Sequence, residues 1–177
     1  MGPVLNLFSV RLDQRAREAA RTADAALARR EGGPLCGVPA TIKDSHWLAG
    51  VETTYGSPSM VGFVPQETSS AVERLIEARA VVFAKTTVSE FAYFGVGEAP
   101  LFGRTSNPWD LDRTPSGSSS GAGAAVAVIY YFFGGQFLAF SETSSSPPPY
   151  LNGTALLATV GLGLAVYVFD WFWSRER

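Results

Sequence analysis

A serine cluster and one lysine are the residues of this sequence whose types and positions could perform chemistry. The run N-P-W-D-L-D-R-T-P-S-G-S-S-S-G-A-G-A-A-V-A-V, residues 107–128, places several serines in a glycine-flanked turn just before small apolar residues. Such a turn can present a hydroxyl to a substrate. Lys43 lies upstream in the apolar segment V-P-A-T-I-K-D, where burial would disfavour its charged form and make it a candidate base. Serine with a neutral lysine is a known substitute for serine with histidine.

Four ordered blocks of the sequence resemble the amidase signature family. The blocks are G-G-P-L-C-G-V-P-A-T-I-K-D (residues 32–44), V-E-T-T-Y-G-S (51–57), A-V-E-R-L-I-E-A-R-A-V-V-F-A-K-T-T-V-S-E-F-A (71–92) and F-G-R-T-S-N-P-W-D (102–110). The last block leads into the serine turn, and the resemblance covers about residues 5–128. It implies an α/β fold with a mixed sheet flanked by helices, of which this chain carries only the first part.

The resemblance implies a Ser–Ser–Lys triad that hydrolyses a carboxamide through an acyl-serine intermediate. Matched onto this chain, Lys43 is the base, and Ser118 is the bridging serine that the family holds in a cis peptide bond. Ser119 is the neighbouring alternative. Ser116 and Ser120 stand where the family usually has glycines, which affects a turn whose backbone dihedral angles are special.

The nucleophile turn of the family is matched by F-S-E-T-S-S-S-P-P-P, residues 140–149. Ser146 would be the nucleophile, and the backbone N–H groups of Thr143, Ser144 and Ser145 would form the oxyanion hole. Two serines replace glycines here, and three prolines without N–H donors follow. The alternative is a flexible Ser/Pro linker. The resemblance implies no metal and no organic cofactor.

Several other side chains have two interpretations each. Lys85, in F-A-K-T-T, looks family-like and either supports the structure or is an exposed charge at a strand end. Glu90 either braces a loop near the site or lies on a solvated helix face. Asp44 could hydrogen-bond to neighbouring backbone. His46 is the single histidine, which excludes a histidine-based triad or metal cluster, and we expect Cys36 to be a small buried apolar residue.

Composition limits the class of protein. The chain has 177 residues, 46% of them hydrophobic and 17% charged, which favours a globular core. A net charge of −2 without a basic stripe argues against direct binding of nucleic acid. The single cysteine excludes an internal disulfide framework and fits a reducing compartment, and no signal peptide is evident.

The elements that must position the candidate site alternate between helix and strand, which favours α/β architecture. The patterns predict helices over residues 13–30 and 71–78, a short helix over 88–95 and a buried helix over 122–128. They predict strands over 38–42 and 80–84 and a loop over 103–120. Thr68, Ser69 or Ser70 could cap the helix over 71–78.

The last third of the chain has a different composition, so four regions are expected. They are the amidase-like region 1–128, an apolar and then Ser/Pro-rich connection 129–150, an apolar segment 151–173 and a charged end 174–177. Residues 151–169 are 19 uncharged residues, close to the ~20 that cross a bilayer, followed by tryptophans and arginines. If residues 121–141 also span, a hairpin would leave the head in the cytoplasm.

Three functions remain open from the sequence. The first is an amidase that acts on a small-molecule amide. The second is a non-catalytic amidase-like head, attached to a membrane or acting as a small subunit of a membrane complex. The third is a truncated or spliced product, in which a partial sheet leaves an unpaired edge that a protein partner could cover.

Overall fold

The computed structural model describes residues 2–129, and these form an α/β unit. Its helices are α1 (Gly2–Leu5), α2 (Asp13–Ala28), α3 (Ser70–Glu77) and α4 (Ser120–Ile129). Its strands are β1 (Phe8–Arg11), β2 (Pro39–Lys43), β3 (Val81–Thr86), β4 (Glu98–Ala99) and β5 (Gly103–Arg104). Two short 3₁₀ turns, Pro58–Met60 and Glu90–Ala92, complete the described elements.

The main sheet has three strands in the order β1-β3-β2. Strand β3 takes the centre because its V-V-F-A run is apolar on both faces, as a buried strand requires. It pairs antiparallel with β1 and parallel with β2, so the sheet is mixed, as expected. The parallel register places Ile42 opposite Lys85 and Lys43 opposite Thr86, which brings both lysines to the same end of the sheet.

The core consists of two apolar clusters. One joins Ile42 of β2 and Val82 of β3 to Val72 of α3 and to Leu48 in the loop after β2. The other joins Leu5 and Leu7 near the N-terminus to Ala124 of α4. The helix at the serine turn is therefore anchored to the start of the chain.

Most expected elements are present, with shifted ends. The helix predicted over 13–30 ends at Ala28, and the strand predicted over 80–84 extends to Thr86. The helix predicted over 88–95 is wrong, because only a 3₁₀ turn forms and Phe91 within it has a φ of 49°. The loop predicted over 103–120 includes β5, which pairs with β4. Ser69 is the N-cap residue of α3, but its hydroxyl accepts from the backbone N of Trp47 (2.8 Å) instead of from the helix.

The membrane predictions concern mainly the tail. In residues 2–129, no helix has the length and hydropathy needed to cross a bilayer. Gly121 packs against the backbone of Leu7 and Thr87, and Ala124 is fully buried. The predicted connection and the apolar segment 151–173 lie outside the described residues.

Candidate active site

Lys43 and Ser118 lie in direct contact although 75 positions separate them in the sequence. The Nζ atom of Lys43, the last residue of β2, donates to Ser118 Oγ at 2.8 Å. Ser118 lies two residues before α4 and follows Gly117 through a cis peptide bond. Both side chains are half-buried, whereas the neighbouring alternative Ser119 is exposed. The structure thus brings together two of the three predicted triad residues.

The turn around Ser118 is held by backbone contacts from a second loop. The carbonyl O of Ser118 accepts from the backbone N of Ser89 at 3.2 Å, and the hydroxyl of Ser116 donates to the carbonyl O of Gly95 at 3.1 Å. A Cβ atom at Gly117 would lie 2.5 Å from the carbonyl O of Val96, so this position requires glycine. Ser116 adopts a φ of 73°, a conformation usually taken by glycine.

Burial changes the acid–base behaviour of Lys43. Desolvation lowers the pKa of its amine below the usual value, because removal from water disfavours the ammonium form. A lysine with a lowered pKa has a larger neutral fraction, and the neutral amine can accept a proton. Together with the 2.8 Å contact to Ser118 Oγ, this places a candidate base next to a hydroxyl.

The side chain of Lys85 is fully buried, so the interpretation of an exposed strand-end charge is wrong. Its Nζ lies 3.1 Å from Asp44 Oδ1 and donates to Thr53 Oγ1 (2.6 Å) and to the carbonyl O of Glu52 (3.0 Å). Burial lowers the pKa of Lys85, and the carboxylate of Asp44 opposes that shift. Two hydrogen bonds and the counter-charge of Asp44 make this buried cation tolerable.

Asp44 contacts more than the neighbouring backbone that the sequence suggested. Its Oδ2 accepts from the backbone N (3.2 Å) and the hydroxyl (2.7 Å) of Thr54, ten positions away. The side chain is fully buried on the opposite side of the strand end from Lys43, as alternation along a strand requires. Asp44 thereby ties the loop after β2 to the two strands that carry the lysines.

A buried hydroxyl cluster next to the site was not predicted from the sequence. Thr87 Oγ1 lies 2.7 Å from Thr105 Oγ1, and Ser120 Oγ donates to the carbonyl O of Thr87 at 3.3 Å. A Cβ atom at Gly121 would lie 2.2 Å from the carbonyl O of Leu7 and 2.6 Å from the backbone N of Thr87. The Ser/Thr-rich sequence after β3 was the available signal, but it did not say which hydroxyls meet.

The remaining candidates are not buried. Glu90 is half-buried, and His46 is exposed, with a pKa lowered by partial desolvation and by the charges of Lys43 and Lys85. Cys36 is half-buried rather than buried, and its Sγ lies 3.6 Å from the carbonyl O of Ala23. Residues 2–129 contain no cluster of three or more side chains that could hold a metal ion.

The predicted nucleophile and oxyanion residues lie outside the described part of the chain. These are Ser146, Thr143, Ser144 and Ser145. Their placement relative to Lys43 and Ser118 therefore remains a prediction.

Most of this chain matches the model of a known protein family. The Amidase family model matches residues 1–134. The chain belongs to the Amidase family. This confirms the resemblance that the four sequence blocks indicated.

Individual relatives place the chain within the family. It is 45% identical over 119 residues to a glutamyl-tRNA(Gln) amidotransferase subunit of Desulfatibacillum aliphaticivorans, covering 67% of this chain and 24% of that protein. It is similar to the peptide amidase of Stenotrophomonas maltophilia, with 35% identity, a TM-score of 0.65, and coverage of 71% of this chain and 27% of that one. The glutamyl-tRNA(Gln) amidotransferase subunit from Thermotoga maritima gives 29% identity and a TM-score of 0.57, covering 71% of this chain and 25% of that one. The chain thus spans about a quarter of the length of these relatives.

Proposed function

We propose that this chain hydrolyses a carboxamide, with Lys43 as base, Ser118 as proton relay and Ser146 as nucleophile. The contact of 2.8 Å between Lys43 Nζ and Ser118 Oγ is the observation that carries the proposal. The lowered pKa of Lys43 supports it, since a base must be neutral before it can accept a proton. Family membership supports amide chemistry in general.

The proposed reaction moves one proton along a chain of three side chains. Ser146 Oγ attacks the amide carbonyl carbon and gives its proton to Ser118, which passes its own proton to neutral Lys43. Backbone N–H groups of Thr143–Ser145 hold the negative oxygen of the tetrahedral intermediate. When the C–N bond breaks, the proton returns through Ser118 to the leaving nitrogen, which departs as ammonia or an amine.

The second half of the reaction uses water in place of Ser146. Water attacks the acyl-serine carbonyl and gives a proton to Ser118 and onward to Lys43. Collapse releases the carboxylic acid, and Ser146 recovers its proton by the same relay. The cycle consumes one amide and one water and leaves the three side chains as they began.

An amide panel with the purified 177-residue chain tests this function. Release of ammonia or amine should fall at least ~100-fold in Lys43→Ala, Ser118→Ala and Ser146→Ala, because each removes a step of proton transfer or bond formation. Ser119→Ala is the matched control, because this serine is the exposed neighbour of Ser118, and it should keep most of the activity. Equal activity in all four variants would refute the assigned roles, and no hydrolysis of any amide would refute the enzyme proposal.

A second candidate is a non-catalytic amidase-like head that works as a small subunit, with a tail that attaches to a membrane. Large apolar side chains are exposed near the serine turn, including Phe91, Phe94 and Tyr93, which is 81% exposed. Exposed apolar surfaces of this kind are typical of sites that bind a partner protein. The relative from Desulfatibacillum aliphaticivorans is itself named as one subunit of an amidotransferase. In this proposal the head is cytoplasmic, and the basic residues Arg175 and Arg177 lie on the same side of the membrane as the head.

Resistance to carbonate extraction tests the membrane attachment. Val160 is at the centre of the uncharged segment 151–169, so Val160→Arg should release the chain, since a central arginine costs about 2.5–3.5 kcal/mol of insertion free energy. Asn152→Arg is the matched control near the segment's end, where an arginine can reach the interface. An unmodified chain that is fully extracted by carbonate would contradict the attachment.

A further inference from the structure

Both lysines of the chain lie at the carboxyl ends of the parallel strands β2 and β3. The sequence contains twelve arginines and only two lysines, Lys43 and Lys85. An arginine stays protonated in proteins, whereas a lysine can lose its proton when buried. The two lysines nevertheless have different surroundings, since Lys43 contacts a serine hydroxyl and Lys85 contacts a carboxylate.

The carboxylate of Asp44 is a negative charge one residue from Lys43, the proposed base. A buried carboxylate one residue from Lys43 should favour the ammonium form of that lysine, because an opposite charge nearby stabilises a cation. The same carboxylate is needed where it is, since it accepts both hydrogen bonds from Thr54 and so fixes the loop after β2. Lys85 Nζ, 3.1 Å from Asp44 Oδ1, supplies a positive charge that cancels the negative one.

We infer that Lys85 is a positioning residue that neutralises Asp44, so that this carboxylate anchors Thr54 beside the site without attracting a proton to Lys43. The inference rests on the proposed role of Lys43 as a base.

Other charged groups around the site do not replace Lys85 in this role. His46 lies in the turn after β2, where its backbone N donates to the carbonyl O of Lys43, and desolvation and the nearby lysine charges lower its pKa. Glu52 is near Lys85, and its carboxylate accepts from the backbone N of Gly62. Glu90 follows Ser89 in the loop that contacts Ser118. Lys85 is thus the cation in direct contact with Asp44.

Amine labelling read by mass spectrometry measures the protonation of Lys43 without requiring any hydrolysis. An acid anhydride reacts only with neutral amines, and the chain has just two lysines and its terminal amine to distinguish. At a pH below the midpoint of the wild-type labelling curve, Lys85→Met should slow labelling of Lys43 about tenfold, because the unpaired Asp44 then stabilises the ammonium form. The double variant Asp44→Asn/Lys85→Met has neither charge and should label at nearly the wild-type rate.

The third variant separates charge from structure. Asp44→Asn alone should label no more slowly than wild type, because it leaves no anion next to Lys43. Circular dichroism at the labelling temperature checks that each chain is folded. Equal curves for Lys85→Met and wild type would overturn the inference, and so would slow labelling in all three variants, which indicates a structural defect. Loss of the proposed hydrolytic function would appear in the amide panel and would leave these labelling rates unchanged.

Discussion

The two halves of the β2–β3 strand pair bury different kinds of side chain. The first half packs apolar side chains, with Ile42 and Val82 against Leu48 and Val72. The second half buries Asp44, two residues after Ile42, and Lys85, three residues after Val82, with no exposed surface. Apolar packing depends on volume and tolerates rearrangement, whereas buried polar groups each need a specific partner. We therefore expect a single substitution to destabilise the polar half more than the apolar half. Replacing both members of a polar pair should cost less stability than replacing one.

The largest effect should come from removing one member of the buried ion pair. Lys85→Met leaves the carboxylate of Asp44 buried without its counter-charge, and we expect a loss of about 3–5 kcal/mol in the free energy of unfolding. Urea denaturation followed by circular dichroism measures it.

The paired variant sharpens this prediction. Asp44→Asn/Lys85→Met removes both charges and should recover part of the loss, because no buried charge remains unpaired. If the double variant is as unstable as the sum of the single ones, the two residues do not act as a pair.

The apolar half should respond in proportion to the volume removed. Leu48 is fully buried in the first cluster, so Leu48→Ala should cost about 3 kcal/mol of unfolding free energy by loss of transfer energy and formation of a cavity. Leu27, which is 52% exposed, is the matched control, and its alanine variant should change stability much less. Similar losses in both variants would show that the first cluster is not the core of this half.

The hydroxyl cluster beside the serine turn should give a smaller effect. Thr87→Val removes a hydroxyl that contacts Thr105 Oγ1 at 2.7 Å and the carbonyl O of Asn6 at 3.2 Å, so we expect a loss of about 1–2 kcal/mol. Thr22→Val is the control, because its hydroxyl binds a helix carbonyl on an exposed surface. A loss at Thr22 equal to that at Thr87 would contradict a specific role for the buried cluster.

The helices and strands formed by local patterns could be predicted from the sequence. Helix α2 begins at Asp13 as its pattern predicts, and β3 follows from a run of apolar residues, because local periodicity and burial are written in neighbouring positions. Lys43 and Ser118 were identified by motif, but no local pattern states that their side chains meet across 75 positions.

The polar half was much harder to anticipate. The partners of Lys85 come from segments 32 or more positions earlier in the chain, so its position at a strand end carried no local sign of burial. The turn at residues 90–92 was predicted as helix because its composition allows one, yet Phe91 and Ala92 take positive φ values of 49° and 58°. Long-range contacts fix that backbone, including the hydrogen bond from the backbone N of Phe91 to the carbonyl O of Tyr55 (2.8 Å).

The smallest expected effect is a pH dependence that comes from Lys43. Because burial lowers the pKa of this amine in the folded state, the unfolded chain binds more protons in the window between the folded pKa and the ordinary value near 10.5. Stability should therefore rise with pH across that window, by less than about 1 kcal/mol for a half-buried group. Urea denaturation of wild type and Lys43→Met at several pH values isolates the effect, because Lys85 and the other titrating groups are common to both chains. The free energy of unfolding of wild type should rise relative to that of Lys43→Met as the pH increases. A constant difference between the two would mean that Lys43 has an ordinary affinity for protons, and it could then not serve as the neutral base that the contact with Ser118 suggests.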